Sequence, residues 1–352
     1  MRLTPESEHN DMIKTRTISL PLLLLGFIHL MVLSAGFLAP YDYASQNRAM
    51  PFAPPTTIHF IDSHGEWHFR PFVYGLLDQP GNFGFYNEDR KHVYPVRFFV
   101  NGDEYKVIGN VNLHLHLFGV TEPARIFLIG ADGYGRDQFS RLLFGGQISL
   151  FAGLLAASLS LVVGLGFGAV AGFYGKWTDE TIMRLAELFL ALPWLYLLFA
   201  VRAFLPLHIS PTAAFMLLVL VIGLVGWARP ARLVRGIVLS AKERNYVLAG
   251  RNFGASDLYL LRCHILPQTV GVVLTQAALL IPQYIMAEVT LSFLGLGVGE
   301  PAPSWGNMLA SLQQYHVLIS YWWMFIPGVA LIPVFLSYFL LANALQKRLK
   351  LG

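Results

Sequence analysis

Apolar runs long enough to cross a lipid bilayer constrain this chain more than any other feature of its sequence. A helix needs about 20 apolar residues to cross a hydrocarbon core of roughly 30 Å. Only 13% of the residues are charged, whereas about a quarter are charged in soluble domains. The sequence therefore predicts an all-α integral membrane protein, with its internal prolines tolerated by packed neighbouring helices. The six predicted spans are 18–39, 148–174, 182–204, 212–227, 269–291 and 322–345.

Basic residues in the short loops predict how these spans are oriented. Seven Lys and Arg residues lie between the fourth and fifth spans, and three more lie in the C-terminal tail. The connections 205–211 and 295–321 contain no Lys or Arg. Because positive charge accumulates on the cytoplasmic side, both termini and segment 229–266 are predicted to be cytoplasmic. The first run exceeds the apolar core of a signal peptide, which favours an uncleaved anchor.

Residues 40–144 form the one large polar block, which this orientation places outside the membrane. Alternation in 57–62 indicates a strand, and 96–108 reads as a hairpin because Asn101-Gly102 suits a tight turn. The sequence thus predicts a β-rich extracytoplasmic insertion between the first two spans. His68, His114 and His116 invite a metal hypothesis, but their spacing is weak and favours ordinary polar positions over ligation. No metal site is predicted.

Segment 229–266 is basic and patterned as helices, although a short turn would be enough to join two spans. The sequence predicts a first short helix over 244–253, a break at Gly254, and Ser256 as the N-cap of a second helix, with Pro267 starting the fifth span. Two interpretations are about equal on spacing alone. The segment either docks a cytoplasmic partner or lies on anionic lipid.

Four stretches of the sequence resemble one transporter family. They are IGADGYGRDQFSRLLFGGQISL (129–150), GAVAGFYGKWTDETIMRLAELFLALP (168–193), the basic region 222–267, and TLSFLGLGVGEPAPSWGNML (290–309). In this order they resemble the permease subunits of the dipeptide/oligopeptide/nickel family of ABC importers, in the subclass with a long amino-terminal span. The collinear match covers 127–338 and is far more specific than any single motif.

This resemblance implies a six-helix ABC-importer permease bundle in a bacterial plasma (inner) membrane. It divides the chain into a cytoplasmic tail (1–17), a first span (18–39), the extracytoplasmic insertion (40–144), a permease core (145–345) and a tail (346–352). The implied partners are a second homologous permease, two ABC ATPase subunits, an extracytoplasmic solute-binding protein and membrane lipid, but no nucleic acid. The cargo would be a peptide or a similar small solute.

The resemblance also implies that the basic segment couples ATP hydrolysis to transport. The residues that match this coupling segment are Tyr246, Ala249, Gly250, Gly254, Ala255, Ser256, Ile265 and Pro267. The family's Glu-Ala-Ala is Leu248-Ala249-Gly250 here, and its Gly-Asp near the end of the last helix is Ala342-Asn343. The chain has no phosphate-binding loop, so ATP and Mg are expected on the partner ATPase subunits and no cofactor on this chain. No catalytic residue is predicted.

Ionisable residues inside predicted spans are functional candidates, because burying a charge in a bilayer is costly. Glu187 and Glu288 are the two clear cases, and both lie near span ends. A snorkelling side chain or an interhelical hydrogen bond is favoured for each over substrate contact. Two other classes stay open at this stage, an autonomous secondary transporter and a membrane-embedded enzyme. Dependence on ATP in the presence of partners separates the importer from both.

Overall fold

The computed structural model describes residues 5–78, 86–107, 111–204 and 210–351, and most of them are helical. The chain divides into two compact units. The first unit comprises Met1–Gly26, Leu150–Leu291 and Ile332–Gly352. The second comprises Phe27–Ser149 and Ser292–Leu331.

The α-helices of the described residues differ widely in length. They are α1 (Pro5–Leu33), α2 (Ala35–Leu38), α3 (Gln138–Tyr174), α4 (Lys176–Ala191), α5 (Trp194–Ala203), α6 (Pro211–Val225), α7 (Ala228–Lys242), α8 (Asn245–Asn252), α9 (Asp257–Leu260), α10 (Val270–Phe293), α11 (Trp305–Ala310), α12 (Tyr315–Ser320) and α13 (Ile326–Leu351). A π turn at Leu261–Ile265 and a 3-10 turn at Leu266–Thr269 connect α9 to α10, and 3-10 turns at Ser311–Gln313 and Trp322–Phe325 flank α12.

Several of these helices are long and apolar enough to cross a membrane, which confirms a multi-pass protein. Three described stretches qualify alone, namely Gln138–Tyr174, Asp257–Phe293 and Trp322–Arg348. Two bent pairs qualify if each is one span, Lys176–Ala191 with Trp194–Ala200 at 92° and Pro211–Val225 with Ala228–Lys242 at 43°. The first apolar run forms a shorter apolar helix, Ser19–Leu33, which the chain interrupts at Ser34. The sixth span therefore stays a prediction.

Glycines on α3 allow α7 to approach it closely. A Cβ at Gly164, Gly168 or Gly172 would collide with the backbone or with buried side chains of α7. These small residues therefore allow close packing of the two helices, as small residues do between membrane helices. The contact fixes α7, from which the basic segment continues.

The strands lie in the second unit and form two antiparallel sheets. β1 (His59–Ile61), β2 (Trp67–Asp78) and β3 (Tyr86–Pro95) make one sheet in that order, and β4 (Arg97–Val107) pairs with β5 (Val111–Gly119) in the other.

The predicted hairpin at Asn101-Gly102 is wrong. Both residues lie within β4, which continues to Val107 and shifts register between Asn101 and Tyr105. The ring of His116 on β5 occupies the space above Gly102, and its Nε2 lies 2.9 Å from the Asp103 carbonyl oxygen. Gly102 is therefore needed to make room for a neighbouring ring rather than to close a turn.

Candidate functional site

The basic segment 229–266 begins on α7, a helix with one buried and one charged face. Its apolar side, including Val234 and Val238, is buried, whereas Arg232 is exposed. Arg235 binds Asp179 of α4 through two hydrogen bonds of 2.6 Å each. Because this paired geometry is directional, it fixes α4 against α7.

The rest of the segment forms a knuckle, defined as residues 245–265, on an apolar base. Val247 of α8, Leu260 of α9 and Ile265 of the π turn are almost completely buried. They pack with Phe173 and Val238 in one cluster. These buried side chains therefore hold the knuckle in place, and they alternate along the chain with its exposed ones.

Local hydrogen bonds shape the turn between the two short helices. Gly254 adopts a φ of +81°, a conformation that suits glycine, and a Cβ there would meet open space. The Ser256 hydroxyl accepts a hydrogen bond of 3.3 Å from the Tyr259 amide, which confirms the predicted N-cap. The first helix is also found where it was predicted, as α8 between Arg244 and Phe253.

Apolar side chains stand out from the knuckle into the surroundings. Phe253 is 91% exposed and Leu258 is 72% exposed, beside Tyr246 and Tyr259, which are about half exposed. Arg251 pairs with Asp257 at 3.3 Å. An exposed cluster of large apolar groups held on a rigid base is typical of a protein interaction site. Phe253 and Leu258 did not stand out in the sequence, where they look like ordinary helix residues.

The structure brings the eight predicted coupling residues together but does not present all of them. Six are exposed or half-exposed on the knuckle: Tyr246, Ala249, Gly250, Gly254, Ala255 and Ser256. Ile265 belongs to the buried base, and Pro267 lies in the 3-10 turn before α10. Their coupling role stays a prediction.

The two predicted intramembrane acids lie on different helices. Glu187 is exposed on α4, and Glu288 is completely buried on α10. Their predicted roles as polar contacts within the membrane stay predictions.

Sequence reasoning missed a second site, an ionic cluster of Asp132, Arg136, Arg141 and Glu300. Arg136 Nε lies 2.7 Å from Asp132 Oδ2, and its Nη1 lies 2.5 Å from Glu300 Oε2. Arg141, whose side chain is 2% exposed, reaches Glu300 Oε1 at 3.1 Å. The cluster borders a cavity of about 330 Å³.

The charges of this cluster balance, two positive against two negative. Asp132 also accepts hydrogen bonds from the backbone amides of Tyr134 and Arg136 at 2.8 and 3.0 Å. Burial of charged groups is tolerated when each is paired and hydrogen-bonded, as here. The cluster therefore stabilises its own unit, and its two guanidinium groups are already bound to carboxylates.

The histidines considered as metal ligands do not gather. Within the described residues, no group of three or more His, Cys, Asp or Glu side chains converges. His116 is buried with its Nδ1 2.5 Å from the Ala39 carbonyl oxygen. His68 contacts Asp62 at 3.0 Å, and this hydrogen bond is the main reason why the pKa of Asp62 falls to about 2.

The fold and the exposed surface of the knuckle first define the class of protein. The chain is a helical multi-pass membrane protein with a structured basic segment between two spans. Comparisons then name the family. Residues 164–351 match the model of the binding-protein-dependent transport system inner membrane component. This is more than half of the chain, so the chain belongs to that family.

Curated relatives agree with this assignment. The chain is 36% identical over 228 residues to the dipeptide transport system permease protein DppC of Bacillus subtilis (strain 168), which covers 64% of this chain and 69% of that protein. It is 37% identical over 210 residues to the oligopeptide transport system permease protein OppC of the same organism, which covers 58% and 65%. A chain of the inward-facing MetNI methionine ABC transporter overlays with 19% identity and a TM-score of 0.43 over 58% of this chain and 95% of that one. By its family and its two permease relatives, the protein is a permease subunit of an ABC importer, and the ATPase activity resides in partner subunits.

Proposed function

We propose that this permease imports short peptides or a similar small solute across a bacterial plasma membrane. The support for peptides is that its relatives are permeases of dipeptide and oligopeptide transport systems. The resemblance that the sequence carries over 127–338 points to the same class of cargo. The energy comes from ATP, bound with Mg on the partner subunits.

We also propose how the complex is assembled. A second homologous permease and this chain form the pathway, two ABC ATPase subunits bind on the cytoplasmic side, and an extracytoplasmic solute-binding protein delivers the cargo. In this topology the chain spans the membrane six times with both termini in the cytoplasm. Residues 40–144 then form the β-rich extracytoplasmic insertion, and membrane lipid surrounds the spans.

One observation carries the coupling role of the knuckle. Phe253 is almost fully exposed beside Gly254, around which there is open space, while Val247, Leu260 and Ile265 hold the turn from below. A protruding apolar group on a rigid base fits a groove on another protein, where a buried aromatic side chain acts as an anchor. ATP-driven closure of the ATPase pair would then move the knuckle and the spans as rigid bodies.

A pair of glycine substitutions tests this role. Gly254→Trp fills the open space on the knuckle and should lower ATP-driven uptake at least tenfold, since an anchoring contact is worth about 2 kcal/mol or more. Gly295→Trp is the matched control, because Gly295 has a similar φ of +75° and open space around it, but lies outside the segment. Both variants carry the same backbone strain.

Uptake of labelled peptide into proteoliposomes that contain the whole complex is the measurement. Loss of uptake and of bound ATPase in the Gly254 variant, with both retained in the Gly295 variant, supports the docking role. Unchanged uptake in the Gly254 variant contradicts it. Equal losses in both variants assign the effect to backbone strain and also contradict it.

A further inference from the structure

A cavity of about 280 Å³ lies in the first unit where two bent helix pairs face α10. One bend is at Leu192-Pro193 between α4 and α5, and the other is at Gly226 between α6 and α7. Its lining includes Phe189, Leu192, Trp194, Arg229, Gln283 and Tyr284. Broken helices that surround a cavity are a recurring setting for substrate sites in transporters.

The bend at Gly226 is built around this cavity. A Cβ at Gly226 would collide with the Tyr284 hydroxyl, so glycine is required for the helices to approach. Tyr284 is buried and its hydroxyl lies 3.0 Å from the Ser160 hydroxyl of α3. The wall on the α10 side is thereby held in place, and the cavity is a formed feature of the unit.

Three hydrogen-bond donors on the cavity wall have no protein acceptor among the residues that the structure describes. They are the guanidinium of Arg229, the amide of Gln283 and the indole N–H of Trp194. No acidic side chain lines the cavity in that part of the chain. Arg and Trp side chains only donate hydrogen bonds, so the free groups favour an acceptor, and the charge favours an anion.

Arg229 differs in this respect from those arginines of the described chain that form ion pairs. Those at positions 136, 141, 184, 235 and 251 each contact a carboxylate. Arg229 contacts none in the described chain, although it lies directly after the apolar helix α6. The Arg229 side chain is exposed, so its guanidinium is free to donate to an anionic group that enters the cavity. The apolar walls of the cavity also strengthen any attraction between Arg229 and an anion.

We propose that this cavity is a transient site on the transport path for the free carboxylate end of the cargo. Arg229 binds the carboxylate, Trp194 and Gln283 donate further hydrogen bonds, and Phe189 and Leu192 contact the adjoining apolar side chain. The volume is close to the lower limit of about 300 Å³ for small-molecule sites, so the cavity holds one end of a peptide rather than a long one. This inference rests on the proposed function.

The experiment compares two probes in proteoliposomes that contain the whole importer with its binding protein. One probe is a tripeptide ending in phenylalanine with a free carboxylate, and the other is the same tripeptide with a C-terminal amide. Each is supplied on saturated binding protein, so that delivery is equal. The readout is the ratio of acid uptake to amide uptake, in Arg229→Gln, Arg229→Lys and the matched control Arg232→Gln, which removes an exposed charge outside the cavity.

We expect the ratio to fall about tenfold in Arg229→Gln, to be largely kept in Arg229→Lys, and to be unchanged in Arg232→Gln. An unchanged ratio in Arg229→Gln overturns the proposal. An equal loss of both probes there, confined to vesicles with anionic lipid, also overturns it and assigns Arg229 to lipid headgroups. Absence of any ATP-driven uptake in the unsubstituted importer rejects the proposed function itself, which keeps the two failures distinguishable.

A second measurement does not depend on changing Arg229. Cys263 is the only cysteine of the chain, so Cys263→Ser provides a background for Gln283→Cys. The free-acid probe should slow the labelling of this cysteine by a thiol reagent during turnover at least tenfold more than the amide probe does. Equal labelling rates with both probes overturn the site.

Discussion

The knuckle of the basic segment and the ionic cluster use the same backbone conformation for opposite purposes. Gly254 in the knuckle and Gly135 beside the cluster both have a positive φ, +81° and +69°. A Cβ on Gly135 would collide with the carbonyl of Asn47, whereas a Cβ on Gly254 would meet nothing. One glycine therefore closes a packed turn, and the other exposes a turn to the surroundings.

The side chains of the two regions show the same difference. Arg136 and Arg141 are buried and paired with carboxylates inside their own unit. Phe253 and Leu258 are large and exposed. A region whose groups are satisfied internally contributes to stability, whereas a rigid region with unsatisfied apolar groups is suited to bind a partner. Substitutions should separate these two roles.

The largest effect is expected where the ionic cluster is broken. Arg136→Ala leaves Asp132 buried without its main partner, and we expect a loss of about 3 kcal/mol of stability, at the lower end for buried pairs because Glu300 is half exposed. Thermal unfolding of the purified complex measures it. The control Arg90→Ala removes a well-exposed charge and should change little. Equal melting temperatures for Arg136→Ala and the unsubstituted protein would contradict the stabilising role of the ionic cluster.

An intermediate effect is expected on binding rather than on stability. Phe253→Ala should weaken ATPase binding by about 2 kcal/mol or more, because an exposed aromatic anchor is removed. Stability should stay within about 0.5 kcal/mol, as for other surface changes. Phe69→Ala is the matched control, since Phe69 is 86% exposed in the second unit. Weaker ATPase binding in both variants, or in neither, would contradict a specific role of the knuckle in binding the ATPase.

The smallest effect concerns Asp137. Burial raises the pKa of its carboxyl group to about 6. The folded state then binds the extra proton between about pH 4 and 6, so its contribution to stability is full below pH 4 and is lost as the pH rises to about 6. Asp137→Asn removes this dependence. Above pH 6 we expect it to gain only about 1 kcal/mol, because the carboxamide accepts weaker hydrogen bonds from Ser140.

Melting temperatures across pH 4 to 8 check this prediction. The difference between the Asn variant and the unsubstituted protein should grow from pH 4 to 6 and stay constant above. A difference that does not vary with pH would show that Asp137 does not titrate in this window.

Local chemistry explains why some elements could be predicted from the sequence. Ser256 followed by Asp257 and apolar residues predicts an N-cap, since the hydroxyl and the amide it binds are only three residues apart. Long apolar runs predict spans because bilayer thickness sets their length.

The missed features depend on residues that are distant in the sequence. Arg136 and Glu300 are 164 positions apart, so their ion pair has no local signal. Gly102 suggested a turn because its neighbour is Asn101. In the structure it is a strand residue, and the ring of His116 on the neighbouring strand occupies the space that a Cβ would fill. The bends at Leu192-Pro193 and Gly226 likewise bring Arg229 and Gln283 to one cavity.

The sequence alone determined that this is a multi-pass membrane protein, which family it belongs to, and where a helical basic segment interrupts its spans. The first and the last follow from composition and period, which act over a few turns of chain, whereas the family follows from a resemblance over long collinear stretches. Only the tertiary structure decided which glycines are crowded or open, which charges are paired, and which side chains face a cavity. Those outcomes depend on packing between distant segments, where each group competes for space and for hydrogen-bond partners.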